Sequence, residues 1–232
     1  MKDSTGGPVP RRLDAPLELD PGSWPHRETY RLLTGLVVPR PIAWVSTRGP
    51  DGVPNVAPHS FFNLVAHDPP HVLFSATDVR DTLRNIRASG DFVVNTVSED
   101  LAEAMNLTSA DFPPAEDEFR WAGLTARPSV RVTAPRVAEA KAHLECRLAR
   151  EIEIGGATLV IGEVVHIHVD PSVWHEGRVS PRLLAPVCRL AGSSYARLGE
   201  VFSLARPHWD PDAGAPVTPA TASEKPEKPE ER

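Results

Sequence analysis

At 232 residues and a formal net charge of −6, from 31 acidic against 25 basic side chains, the chain fits one ordinary domain with tails. That balance argues against a nucleic-acid or anionic-membrane binder, so any anion site must be a local arrangement. No apolar run approaches a bilayer span, the N-terminal MKDSTGGPVPRRLD lacks the apolar core of a secretory signal, and two cysteines make no disulfide framework; a cytoplasmic protein is expected.

Prolines number 25 and gather in tails and loops. Residues 1–22 read as a flexible arm, although Leu13, Leu17 and Leu19 can lay a short segment against the domain. Residues 23–207 form the expected domain. Residues 208–232 are expected to be a disordered tail, since from Pro211 on little can be buried and the chain ends in EKPEKPEER.

Within the domain, Tyr30, Leu33 and Val37 recur at helical spacing, predicting a short helix over 26–36. Residues 41–47 read as a strand with Ile42 and Trp44 on one face and Ala43 and Val45 on the other, so both faces are expected to be buried. The turn at Gly49-Pro50-Asp51-Gly52 returns the chain as a second arm over 53–58. A third strand is expected over 71–75. Thr77 or Asp78 can then cap a helix reaching Ser89, with Leu83 and Ile86 inward and Gly90 as its stop.

Residues 92–97 read as another strand, and Ser98 as the cap of a second helix with Leu101, Ala104, Met105 and Thr108 on its inner stripe. Residues 111–132 look irregular, with Phe112, Phe119 and Trp121 as anchors. Leu144, Cys146, Leu148, Ile152 and Ile154 share one parity and Glu145, Arg147, Glu151 and Glu153 the other, predicting a half-exposed strand. Gly155-Gly156 turns it into a partner over 157–170. Strands dominate with helices inserted between them, which predicts a mainly β barrel-like fold. No GxGxxG follows a strand, arguing against a Rossmann nucleotide site.

Three constellations carry chemistry. Ser75, Thr77, Arg80 and Thr82 gather hydroxyls and a guanidinium at a helix start, which suits an anion, although ordinary capping uses the same residue types. Ser46-Thr47-Arg48 and the segment Asn55 to Asn63 place donors and acceptors at strand ends, with Phe61 or Phe62 to cover a flat ring; the residues alone favour two plain polar loops. His166 and His168 share a strand face and can ligate zinc or iron, but no partner segment stands out, so they are expected as outward-facing residues with no metal. No Gly-x-Ser-x-Gly elbow is present, and Cys188 has no local reason to be a nucleophile.

Taken together, PRPIAWVST (39–47), NVAPHSFFN (55–63), DPP (68–70), RDTLRN (80–85), GDFVVN (90–95), LEC (144–146), IGEVV (161–165) and PVCRLAG (186–192) with Tyr195 resemble the flavin reductase-like, FMN-binding split-barrel family, its flavoredoxin-like branch above all. The resemblance spans roughly Tyr30 to Pro207. It implies a split β-barrel homodimer with FMN near the subunit interface. It implies ring and ribityl contacts from Ser46, Thr47, Asn55, Ala57, Pro58, His59, Ser60 and Asn63, and phosphate contacts from Ser75, Arg80, Asp81 and Thr82. Arg80 stands where many relatives carry lysine, and Asp81 is expected to cap or to pair with Arg80 rather than touch the anion. Ala191-Gly192 stands where relatives often have two glycines. The implied activity is hydride transfer from NADH or NADPH to flavin, with electrons passed to free flavin, a partner oxygenase or another acceptor. No acid or base residue is required, and His59 and His168 are the candidates near the ring or nicotinamide. A carrier that holds FMN without reducing free flavin is the rival reading.

Overall fold

The computed structural model describes residues 16–77, 79–113 and 116–219 of the chain. Helix α1 (His26–Leu36) leads into β1 (Ala43–Arg48), β2 (Pro54–His59), β3 (Phe62–His67) and β4 (Pro70–Ala76). Helix α2 (Asp81–Ser89), β5 (Asp91–Asn95), α3 (Ala102–Leu107) and α4 (Glu118–Trp121) follow. The long hairpin β6 (Ala142–Ile154) and β7 (Ala157–Val169) completes one antiparallel sheet in the order β2-β1-β5-β6-β7-β4-β3.

The two edge strands of that sheet, β2 and β3, are joined by only Ser60 and Phe61. Seven flat strands would hold the edges about 29 Å apart, at roughly 4.8 Å per spacing. Two linking residues reach only about 10 Å. The sheet therefore curls until its edges meet without pairing, which makes a split barrel. Ser60 and Phe61 sit at the split.

Inside the barrel lie Ala43, Val45, Val72, Phe74, Leu83, Ile86, Phe92, Val94, Cys146, Val160 and Val164. Outside it, Ile42, Trp44 and Val56 pack with Leu101, Met105, Phe119, Val137 and Val187. Strand β1 is thus buried on both faces, as its two apolar parities predict. The Trp44 indole N–H finds the Thr108 hydroxyl at 2.9 Å, so even its polar atom is satisfied in the outer core. At Gly162 a Cβ would lie 2.4 Å from Phe92 Cζ, so the ring occupies the space of a missing side chain.

The helix expected to start near Thr77 begins later, at Asp81 with Arg80 as its N-cap, while Asp78 lies outside the described residues. Gly90, left-handed at φ 74°, ends it as expected. Trp121 is 59% exposed rather than an anchor; it stacks on Phe112, while Phe119 is buried.

Leu144, Cys146 and Leu148 face the barrel core, but the parity does not hold along β6. Register shifts at Glu145/Cys146 and Leu148/Arg150 insert unpaired residues, and beyond them Ile152 and Ile154 are exposed. Glu145, expected at the surface, is fully buried. Its oxygens accept the amide N–H groups of Val130 and Arg131, at 2.8 and 2.6 Å, and the His168 ring at 2.6 Å. Burial alone would raise its pKa; these bonds outweigh it and hold the carboxyl below its usual range.

The chain divides into two units between Leu198 and Gly199. In the second, His208–Asp210 pairs with Ala215–Val217 where a disordered tail was expected; residues 220–232 and the arm over 1–15 lie outside the described residues. Among the described residues no helix is long and apolar enough to cross a bilayer.

Candidate functional site

A cleft of about 780 Å³ opens at the split, within the size range of small-molecule sites. One wall is the end of β2 with the link that follows it: Asn55, Ala57, Pro58, His59, Ser60 and Phe61. Across from it stand Ser75 and Ala76 at the end of β4, then Arg80, Asp81 and Thr82 at the start of α2. Segments distant in sequence complete it, namely Tyr30 of α1, Thr108 to Phe112 after α3, and Glu118 of α4.

The cleft floor is a connected polar network. Asn55 donates from Nδ2 to Glu118 Oε1 at 2.8 Å, and the Val56 N–H reaches Glu118 Oε2 at 3.3 Å. Asn55 Oδ1 accepts the hydroxyls of Thr47 and Thr82, each at 3.2 Å, and Thr47 accepts from Asn85 at 3.1 Å. Burial pushes the Glu118 carboxyl pKa up, against the pull of these N–H groups and with a smaller upward push from Asp81.

Helix α2 supplies an amide-rich end, where first-turn N–H groups have no intrahelical partner and the dipole favours an anion. Charges there are distributed differently from expectation. Asp81 pairs with Arg84 at 2.9 Å rather than with Arg80, and Arg80 pairs with Asp111. The i,i+3 geometry of one helix turn brings Asp81 and Arg84 together, whereas Asp111 comes from the segment after α3.

His59 packs on Phe74 with ring centroids 4.6 Å apart, and its Nε2 is buried without a partner. Burial pulls its pKa down to about 4, against a smaller upward pull from the Ser75 backbone. The ring is therefore neutral near pH 7.

Nine of the twelve sequence-predicted contacts thus line one cleft: Asn55, Ala57, Pro58, His59, Ser60, Ser75, Arg80, Asp81 and Thr82. Three do not. Ser46 is buried, bonding the Pro135 carbonyl and accepting from Asn95, so its hydroxyl is spent inside the fold. Thr47 is equally buried and supports Asn55 from behind. Asn63 is exposed on β3, where its Oδ1 accepts the Leu64 N–H. The lining residues unread in the sequence, Tyr30, Asp111 and Glu118 among them, carry no local signal; only the fold brings them in. His166 and His168 lie off this cleft, and His168 is half-buried against Glu145 rather than facing outward. Among the described residues no group of three or more His, Cys, Asp or Glu is arranged to hold a metal.

Residues 35–181 match the model of the flavin reductase like domain. The chain belongs to that family. As a flavin reductase-like protein it is 40% identical to nitrilotriacetate monooxygenase component B from Bacillus cereus, with a TM-score of 0.79 over 83% of this chain and all of that one. An uncharacterised protein of Halalkalibacterium halodurans is 43% identical over 82% of this chain and 97% of its own length. A flavin reductase (NADH) of Kitasatospora aureofaciens is 33% identical over 67% of this chain and 78% of its own length. The split barrel is the architecture of this flavin-binding family.

Proposed function

We propose that the chain is an FMN-dependent oxidoreductase that takes hydride from NADH or NADPH and hands electrons to free flavin, a partner oxygenase or another acceptor. The observation carrying this reading is that nine of the twelve residues implied by the resemblance line one cleft, which has an arginine at a helix start. The volume, near 780 Å³, suits a flavin mononucleotide.

In this reading Arg80 and the amide end of α2 bind the phosphate, assisted by the Ser75 hydroxyl. Thr82 is assigned a supporting role, since its hydroxyl hydrogen is committed to Asn55. Asn55 keeps one Nδ2 hydrogen for an acceptor on the flavin ring, and Ser60 offers a hydroxyl. Neutral His59, packed on Phe74, shapes the wall behind Ser60. When bound, the flavin supplies the hydride-accepting chemistry, so the protein has to orient it and exclude water rather than move a proton. Self-association as a homodimer, which the resemblance implies, belongs to the same proposal, and the free thiols Cys146 and Cys188 fit a reducing cytoplasm.

Thermal melting with and without FMN, FAD and riboflavin tests the binding claim. FMN should stabilise most, because only it brings a terminal phosphate without an adenylate to house. Stability indifferent to all three would defeat it. Rapid mixing with NADH and NADPH separates an oxidoreductase from a passive FMN carrier, which would stay oxidised with both.

A further inference from the structure

Arg40 and Arg189 stand directly opposite each other across an isolated antiparallel bridge. Their backbones exchange both hydrogen bonds, Arg40 N–H to Arg189 O at 3.0 Å and Arg189 N–H to Arg40 O at 2.9 Å. Residues paired this way project their side chains to the same face, where two like charges repel. Both side chains line a pocket of about 230 Å³ whose other walls include Tyr30, Ile42, Met105 and Tyr195.

Among the described residues neither guanidinium has a counter-charge. Arg40 is only 6% exposed, and three of its N–H groups reach carbonyls: Thr34 at 2.8 Å, Val37 at 2.6 Å and Leu190 at 2.8 Å. Its Nε–H is buried and unpartnered. Arg189 donates to the Tyr195 hydroxyl and the Gly192 carbonyl and lies over the Tyr195 ring, 4.5 Å from its centroid. Among the described residues no carboxylate pairs with either one. Burying a charge without its opposite is costly, and placing a second beside it adds to the cost. An anion would relieve both, and the Nε–H edge of a guanidinium belongs to the fork that grips carboxylates.

The pocket shares Tyr30, Pro58, Ser60 and Ser109 with the main cleft, so its occupant would lie beside whatever fills that cleft. We propose that this side pocket binds a small carboxylate with a flat apolar body, the charge held between Arg40 and Arg189 and the body against the tyrosines. The claim that this ligand sits next to flavin rests on the function proposed above. The binding of the carboxylate itself does not.

Calorimetric titration of the full-length chain, with and without FMN, tests it with benzoate as the probe and benzamide as its neutral isostere. Benzoate should bind at least tenfold more tightly than benzamide. Arg189→Gln should weaken benzoate at least tenfold and Arg189→Lys less, with benzamide and FMN affinities unmoved; thermal melting of each variant verifies that it is folded. Equal binding of benzoate and benzamide, or benzoate binding untouched by Arg189→Gln, overturns the proposal. So does an Arg189→Gln variant that loses affinity for NADPH alone, since the pocket would then serve nucleotide phosphates. Benzoate binding in a protein that ignores FMN would leave this pocket standing and fell the flavin reading; FMN binding without benzoate binding would do the reverse.

Discussion

Asn55 donates to the buried Glu118 carboxylate at 2.8 Å from 63 positions away in the chain, and this fixes which way the Asn55 amide faces. A carboxylate only accepts, so Nδ2 must point to it, while Oδ1 is claimed by the hydroxyls of Thr47 and Thr82. What remains for the cleft is a single N–H donor. The α4 segment therefore sets the polarity of a β2 residue.

Glu118→Ala should strand the Asn55 and Val56 donors in a buried site and lower stability by about 2–4 kcal/mol. Urea unfolding measures it. Asn55→Ala combined with Glu118→Ala should lose clearly less than the sum of the two single changes, because both break the same bond. Additive losses would mean that the pair is not coupled.

Arg80 pairs with Asp111, and under the proposed function it must share its guanidinium between that carboxylate and the flavin phosphate. Arg80→Ala should weaken FMN binding about tenfold or more and leave riboflavin, which has no phosphate, nearly unaffected. Asp111→Asn should tighten FMN binding by about two- to fivefold, a modest gain because both side chains are largely exposed. Flavin fluorescence quenching reads all of these affinities.

Acid should unfold the protein through its histidines. His59 and His143 are both pulled by burial from about 6.5 to about 4, so the unfolded chain binds the extra protons across that window. Stability they contribute is complete above about pH 6.5 and is lost as pH falls towards 4, each costing roughly 1–2 kcal/mol by pH 5. Glu118, with a raised pKa, runs the other way and blunts the slope. Melting curves at pH 7.5 and 5 should show a smaller acid loss for His143→Gln than for the native chain.

Gly162→Ala should destabilise by about 1–3 kcal/mol, because a methyl group at 2.4 Å from Phe92 must displace a ring locked in the barrel core. Phe92→Leu in the same chain should restore part of the loss. An unaffected melting temperature for the single variant would show that the ring shifts freely.

Elements whose signals are local are legible in the sequence. Helix α1, the two-sided burial of β1 and the Gly90 stop follow from periodicity and from one glycine. Glu145 misleads, because its burial depends on the 130–131 backbone lying over it and on bulges no local pattern announces. Within the candidate site, Ser46 and Thr47 look like ligand contacts because a hydroxyl at a strand end serves a ligand or the protein equally well. Their partners in the fold are Pro135, Asn95, Asn55 and Asn85, gathered from several other segments. Tyr30, Asp111 and Glu118 emerge only when the chain is folded.

Flavin content of the protein as isolated, followed by anaerobic mixing with NADH and with NADPH, tests the FMN-dependent oxidoreductase reading most directly. FMN should approach one per chain, and its visible absorbance should be lost with at least one nucleotide. A colourless protein that takes up no FMN, or bound FMN that stays oxidised with both nucleotides, would contradict it.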